Sequence, residues 1–307
     1  ITSTKHARVR AGRSAATAAA VAATENVAMP LRTHAGLVLV AALSLAAPSP
    51  AGAAVLPEDR ADALYHRYEG GGVTVDGPSL LVRKKIGENY SVAANYYMDF
   101  VSSASIDVLT QASPYKEERR QASLGFDMLN GRTQYSVAYT NSDESDYTAN
   151  TASFDLSQSL FGDLTTLSFG FSRAWDDVSK RGDPEFNETV DRWAYRVSLD
   201  QIVTPRLSTG MVVETISDEG YLNNPYRSAR YLDPDVAAGF AWQPEVYPDT
   251  RNSTAVSLNA QYFVWYRAAI HGGYRYFTDS WGVDASTVRV GYTHPLGDRW
   301  IFEFNYR

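Results

Sequence analysis

The sequence contains no cysteine and, after residue 53, no long uninterrupted apolar run. Without cysteine the chain has no disulfides, no thiolate metal site and no cysteine nucleophile. A membrane-spanning helix needs about 20 apolar residues in a row, so the sequence beyond residue 53 predicts no helical anchor. Histidine is also scarce: the chain has five, and the wide separation of His66, His271 and His294 argues against a metal centre.

Positive charge is in short supply as well. The chain has 28 Lys and Arg against 35 Asp and Glu, for a net charge of −7. Only five of those basic residues and one of the acidic residues precede residue 54, which leaves a net charge of −11 on the remainder. Nucleic-acid binding requires basic patches, so this balance argues against a nucleic-acid partner.

The first 53 residues divide into two segments. Residues 1–28 are rich in Ala, Thr and Arg without apolar periodicity, and we interpret them as a non-native upstream extension or, alternatively, a disordered one. From Met29 a short basic start, an apolar run over 35–47 and a small-x-small site ending at Ala53 follow in order. This three-part order predicts a cleavable signal peptide over residues 29–53 and export of the rest.

The segment Gln121–Thr140 sets the pattern for the remaining chain. Ala122, Leu124, Phe126 and Met128 alternate with polar residues or glycine, and the same alternation resumes after Asn130-Gly131. Successive side chains of a strand point to opposite faces, so each arm has one apolar and one polar face. Asn-Gly favours a two-residue type I′ turn, and the segment predicts a β-hairpin.

The alternation recurs along the chain and predicts an all-β fold with about 12 strands over residues 78–307. Residues 54–77, rich in glycine near their end, are expected to form a lead-in or an irregular first strand. The predicted strands are Ser79–Ile86, Tyr90–Val101, Gln121–Leu129, Arg132–Thr140, Thr151–Leu160, Leu164–Asp176, Arg192–Ile202, Leu207–Ser217, Thr254–Phe263, Ala268–Phe277, Thr287–Thr293 and Trp300–Arg307.

The connections between these strands differ in length in a regular way. Short ones alternate with longer polar ones, so all short connections fall at one end of the strands. The predicted long connections are Ser102–Arg119, Asn141–Asn150, Asp177–Thr189, Asp218–Ser253 and Thr278–Ala285. This arrangement is typical of an antiparallel up-and-down transmembrane β-barrel, which predicts an outer-membrane location and lipid as the surrounding partner. A secreted soluble β-sandwich remains an alternative, because it too alternates its faces.

The aromatic and charged residues extend this prediction. Aromatic residues near strand ends, at Tyr97, Tyr139, Trp175, Trp193 and Trp300, are expected to form girdles at the membrane surface. Charges that share the parity of the polar face are expected to point into the lumen, where they either line a passage or fill a narrow interior with salt bridges. These lumen candidates are Asp99, Asp127, Asp155, Arg196, Asp200, Glu214, His271, Arg275, Arg289 and Glu303.

The sequence predicts neither a catalytic site nor a bound cofactor. No serine lies in a nucleophile-elbow motif. The stretch Asp99–Ser105 resembles the motif on which flavin transferases attach FMN, with Ser105 at the attachment point and Ser103 where the motif has glycine. This departure favours an ordinary strand-to-loop junction over a cofactor-binding site.

Several separated stretches resemble an uncharacterised Gram-negative family that is known as a domain of unknown function and regarded as outer-membrane barrels. The resemblance covers about residues 64–307 and implies further strands beyond Arg307. Family genes lie beside those for a small lipoprotein, a thioredoxin-like protein and a flavin transferase, which implies an envelope redox context without giving any residue a role. The stretches are Ala63–Val73, Ser103–Asp107, Ala112–Tyr115, Tyr139–Asp146, Asn223–Arg227, Tyr274–Gly282 and Gly291–Gly297.

Two classes of function follow. The first is a non-enzymatic, porin-like outer-membrane barrel that acts as a channel or as a scaffold for an envelope assembly, with the lipoprotein or thioredoxin-like protein as candidate partner. The second is an envelope redox component that carries covalent flavin on Ser105.

Overall fold

The computed structural model describes residues 55–70, 73–103, 115–297 and 299–307. Within these ranges the chain is all-β, with fifteen strands, and no helix is long and apolar enough to cross a membrane. The strands are β1 (Arg60–Gly70), β2 (Val73–Ile86), β3 (Tyr90–Ser103), β4 (Tyr115–Asn130), β5 (Thr133–Asp143), β6 (Tyr147–Leu160), β7 (Thr165–Lys180), β8 (Asp183–Thr204), β9 (Leu207–Gly220), β10 (Ser228–Leu232), β11 (Phe240–Pro244), β12 (Thr250–Phe263), β13 (Ala269–Asp279), β14 (Asp284–Leu296) and β15 (Trp300–Tyr306).

Thirteen of these strands form one antiparallel sheet in which each strand pairs with its neighbours in sequence. Only β10 and β11 stand apart, as a separate two-stranded hairpin between β9 and β12. This up-and-down order confirms the predicted architecture. The soluble β-sandwich alternative is wrong, because a sandwich needs two stacked sheets and the long strands form a single meander.

The sheet is open along β1 and β15. In the described part of the chain β1 pairs with β2 alone and β15 with β14 alone. Every neighbouring pair is antiparallel and the count is thirteen, so β1 and β15 run in the same direction. An antiparallel seam between these two edges would therefore require an odd number of further strands.

The register separates the side chains onto two faces. Phe126, Val137, Phe154, Phe171 and Tyr195 are partners across five neighbouring strands and lie on one face. Most large apolar residues of this face are well exposed, Leu124 by 56% and Val288 by 58%. We call it the apolar face, and its exposure is what a lipid-facing surface predicts.

The positions immediately adjacent form the opposite face. Asp127, Ser136, Asp155, Gly170 and Arg196 are partners across the same five strands. We call this the polar face. The alternation predicted from the sequence is therefore confirmed in both its period and its phase.

The connections differ from the predicted ones at what we call the loop end, where β3, β5, β7, β9 and β13 finish. The expected long loops 141–150 and 177–189 are wrong, because β5 and β6 continue to a turn at 144–146 and β7 and β8 to a turn at 181–182. Polar residues there continue the backbone ladder, for example in the pairs Asp143–Thr148 and Val178–Glu188. A long connection is retained over residues 221–249, which carry the β10–β11 hairpin.

The hairpin of β4 and β5 also turns differently from the prediction. Asn130 pairs with Thr133, so the two-residue loop is Gly131-Arg132 and not Asn130-Gly131. Gly131 has a φ of 61°, and no positive φ is recorded for Asn130. Glycine at the first loop position is typical of a type II′ turn, since that position needs a positive φ.

The segment 54–77 contributes regular structure. Of its described residues, those from Arg60 to Gly70 form β1, and Val73 begins β2. Leu56, ahead of β1, is 3% exposed. The sheet thus begins earlier in the chain than the twelve predicted strands do.

Candidate functional site

All ten predicted lumen residues lie on the polar face. The register connects Asp127 through Asp155 and Arg196 to Glu214, and the remaining candidates share the parity of these residues or of their partners. Six of them lie farther from the loop end, and we call them the middle belt. Asp155, Arg196, Glu214 and Arg275 are near the middle of their strands, whereas Asp127 and Asp200 lie nearer the short turns.

The described contacts of the middle belt are short-ranged. Ser136 donates a hydrogen bond to Asp127 Oδ1 at 2.6 Å, and Arg275 Nη1 lies 3.4 Å from Glu214 Oε2. Arg196 is close enough to interact electrostatically with both Asp155 and Asp200. Both signs of charge are therefore interleaved along this belt.

Glycines of the neighbouring strands provide space for several of these side chains. A Cβ atom placed on Gly170 would lie 2.7 Å from Asp155 Oδ1, and one on Gly210 would lie 2.7 Å from Asp200 Oδ1. Each carboxylate therefore lies against the backbone of the adjacent strand instead of projecting away from the sheet. Glycine at positions 170 and 210 leaves room for these two carboxylates to lie close to the sheet.

The other four candidates lie elsewhere on the same face. Asp99 is at the loop end, 8% exposed, and belongs to a cluster described below. His271 lies over Gly291, and its Nε2 is 3.1 Å from Asn305 Oδ1. Arg289 and Glu303 are exposed positions on β14 and β15.

The structure adds a second row of charges that the sequence analysis missed. Asp176, Arg192, Asp218, Arg251 and Asp279 lie on the polar face toward the loop end, one on each of five neighbouring strands of the sheet. We call this row the loop-end belt. Its signs alternate from strand to strand.

Direct bonds connect the loop-end belt. Arg192 is paired with Asp218, and Arg251 Nε donates to Asp279 Oδ2 at 3.0 Å. The hydroxyl of Tyr147, on β6, donates to Asp176 Oδ2. Asp176 is 3% exposed and Asp218 8%, so the carboxylates of the Tyr147–Asp176 hydrogen bond and of the Arg192–Asp218 ion pair are both buried.

A sequence signal for this belt was present. Asp176 shares its parity with Gly170, Arg192 with Arg196, and Asp218 with Glu214. The predicted strands ended or began near these residues, so Asp218 fell into a loop and Arg251 and Asp279 did as well. Continuing the alternation further toward the loop end would have placed them on the polar face.

A compact cluster occupies the polar face near β1. His66 Nε2 lies 2.8 Å from Asp99 Oδ1, and the His66 ring stacks on Tyr97 with centroids 4.8 Å apart. Arg119, the register partner of Asp99, donates to Ser142 Oγ at 3.0 Å. Tyr97 was expected in a membrane-surface girdle, and this placement is wrong, because its ring lies on the polar face.

Ser105, the candidate flavin attachment point, lies outside the described residues, so that candidate stays a prediction. Among residues 55–70, 73–103, 115–297 and 299–307, no group of three or more His, Asp or Glu side chains is arranged to hold a metal ion.

The fold is similar to that of several solved structures. The chain is similar to the outer membrane transporter YddB of Escherichia coli, with 13% identity and a TM-score of 0.42 over 72% of this chain and 36% of that one. It is also similar to the siderophore receptor PirA of Pseudomonas aeruginosa, with 10% identity and a TM-score of 0.45 over 82% and 60%. The chain thus spans less than two thirds of either structure.

No curated protein matches the chain. A family model described as a protein of unknown function, DUF3570, matches residues 105–307, which is more than half of the sequence. The resemblance seen in the sequence is thereby confirmed, and the chain belongs to this family of proteins of unknown function.

Proposed function

We propose that the protein is a non-enzymatic outer-membrane barrel whose polar face lines a passage for small polar solutes. Two surface properties support a membrane barrel: the apolar side chains of one face are exposed, and several charges of the other face are partnered with one another. In lipid the backbone groups along the edges of β1 and β15 must be paired, since unpaired groups there are costly.

The arrangement of Asp155 over Gly170 and of Asp200 over Gly210 carries the proposal of a passage. A narrow barrel that is merely filled by side chains has no need for charges held against its wall. Carboxylates that lie flat leave the space in front of the sheet to water and solute. Interleaved charges of both signs favour polar solutes without a strong preference for one sign.

Single-channel conductance of the reconstituted protein tests the passage. Discrete current steps are expected from the wild type. Gly170→Leu should lower the step size, because the new side chain displaces Asp155 and adds bulk on the polar face. Ala152→Leu, which adds similar bulk on the apolar face of β6, serves as the matched control and should leave the current unchanged. A correctly inserted protein that never conducts would eliminate the passage.

A scaffold is the second candidate, and the β10–β11 hairpin favours it. Its two strands pair only with each other, and Leu232 and Trp242 on them are 89% and 57% exposed. Exposed apolar side chains on a protruding hairpin are suited to a protein partner. Replacing residues 228–244 by a short polar linker should abolish co-purification with an envelope lipoprotein or thioredoxin-like protein, whereas conductance should persist.

The covalent-flavin alternative depends on Ser105 alone. An intact-mass measurement on the protein co-expressed with a flavin transferase tests it directly. An added mass of one FMN that disappears in Ser105→Ala would support the alternative, and an unmodified mass would remove it.

A further inference from the structure

The turn between β5 and β6 connects several elements at the loop end. It consists of Glu144, Ser145 and Asp146. The backbone N–H of Ser145 donates to Glu117 Oε1 on β4 at 3.0 Å. Glu144 lies beside Arg119, which is also on β4, and Arg119 Nε is 3.7 Å from Glu144 Oε1. The turn is thereby held to the neighbouring hairpin.

Arg181 extends these contacts to the turn between β7 and β8. Its Nη2 donates to Ser145 Oγ at 2.7 Å and lies 3.0 Å from Glu117 Oε2. A side chain from the second turn therefore bridges the first turn and β4.

Tyr226 connects the long segment 221–249 to both turns. Its hydroxyl donates to Asp146 Oδ2 and accepts a hydrogen bond from the backbone N–H of Arg181 at 2.8 Å. Burial and the bond to Asp146 raise the pKa of Tyr226, so the hydroxyl remains protonated and available as a donor. One phenol thus joins three separate segments of the chain.

Glu144 is the group in this assembly that can respond to pH. Its side chain is 10% exposed. The facing groups are Arg119 and Glu117 from β4, Asp99 from β3, Asp146 from its own turn and the phenol of Tyr147 from β6. Burial raises the pKa of Glu144 to about 7, and the three carboxylates add to the shift while Arg119 opposes it.

We propose that turn 144–146 is a proton-operated latch, which holds segment 221–249 to the loop end when Glu144 is protonated and releases it when Glu144 is ionised. The hydrogen bonds through Ser145 and Asp146 form the latch itself. Glu144 determines how stably the turn that carries them is held.

The direction follows from the two protonation states. In the open turn Glu144 has its ordinary pKa of 4.5, and in the closed turn a pKa of about 7. The closed turn therefore binds the proton more tightly, and its stability is lost as the pH rises from 4.5 through about 7. Above that range an ionised Glu144 is buried close to Glu117 and Asp146, and opening relieves both the burial and the repulsion.

Hydrogen exchange of segment 221–249 tests the latch without depending on conductance. We expect protection factors in the wild type to be lower at about pH 8.5 than at about pH 5.5, since Glu144 changes its charge in between. Glu144→Gln should keep the high protection at both values. Glu219→Gln, an exposed glutamate at the end of β9, is the control and should behave as wild type. A pH dependence that survives intact in Glu144→Gln would overturn the role of Glu144.

A second variant tests the hydrogen bonds that form the latch. Tyr226→Phe removes the donor to Asp146 and the acceptor for Arg181, and exchange in segment 221–249 should become about tenfold faster at acidic pH, as expected for two lost hydrogen bonds. Tyr231→Phe is the control, because the hydroxyl of Tyr231 makes none of the described hydrogen bonds. Equal exchange in Tyr226→Phe and wild type would overturn the latch. Since hydrogen exchange does not require conductance, both results remain valid even if the barrel does not conduct.

Discussion

The middle belt and the loop-end belt are built from the same residue types on the same face, but their charges are used differently. Arg192 and Asp218 of the loop-end belt are paired directly and half-buried or buried. Asp155 and Asp200 of the middle belt lie against glycines of the neighbouring strands, and Arg196 is close enough to interact electrostatically with both. We therefore expect the loss of one partner of a buried pair to affect mainly stability, and the loss of a middle-belt charge to affect mainly the selectivity of the proposed passage.

The largest effect should come from breaking the loop-end belt. Arg192→Ala leaves Asp218 buried without its partner, and the free energy of unfolding should fall by about 3–5 kcal/mol. Denaturant unfolding in detergent or lipid measures the change. Arg289→Ala is the matched control, because Arg289 makes none of the described hydrogen bonds or ion pairs, and its effect should stay within about 0.5 kcal/mol. Equal losses in both variants would contradict the distinction.

The next effect concerns the two faces themselves. Phe126→Arg places a charge on the apolar face. It should lower the free energy of unfolding by about 2–4 kcal/mol if the apolar face meets the middle of the bilayer. The measurement is unfolding of the lipid-inserted protein. Phe126→Leu, as control, should cost less than about 1.5 kcal/mol. If the arginine variant inserted with unchanged stability, the assignment of lipid and lumen would be inverted.

Substitutions in the middle belt should have the smallest effect on stability and should change the ion selectivity of the proposed passage instead. Asp200→Asn removes a negative charge from the proposed passage and should shift the anion-to-cation permeability ratio toward anions about two- to fivefold, for charges acting across water. Reversal potentials in a salt gradient measure this shift. Asp177→Asn, which removes the same charge from an exposed site of opposite parity on β7, should leave the ratio unchanged.

The sequence analysis found the polar face but not all of its chemistry. Asp127, Asp155 and Arg196 were identified because they lie in stretches where apolar and polar residues alternate strictly. Asp218, Arg251 and Asp279 were missed because the predicted strands ended where polar residues become frequent. Polar composition indicates a loop only if the backbone lacks another partner, and here β8 runs for 22 residues with its ladder largely intact.

The turn at 144–146 marks a different kind of limit. The sequence placed it only in the long connection Asn141–Asn150, and neither Glu117 nor Arg181, which contact the turn, is adjacent to it in sequence. Tyr226 lies 80 positions from Asp146. No local pattern predicts a contact of that kind, because it depends on how neighbouring hairpins pair and on where the long segment returns.

The sequence by itself determined that each strand has an apolar and a polar face, because the period of two is a property of the backbone and holds wherever a strand forms. It therefore predicted the all-β meander and the parity of all ten lumen candidates. Only the tertiary structure decided which residues meet across the strands. Register places Arg192 beside Asp218 and Gly170 beside Asp155, and register is a relation between strands that neither strand contains alone.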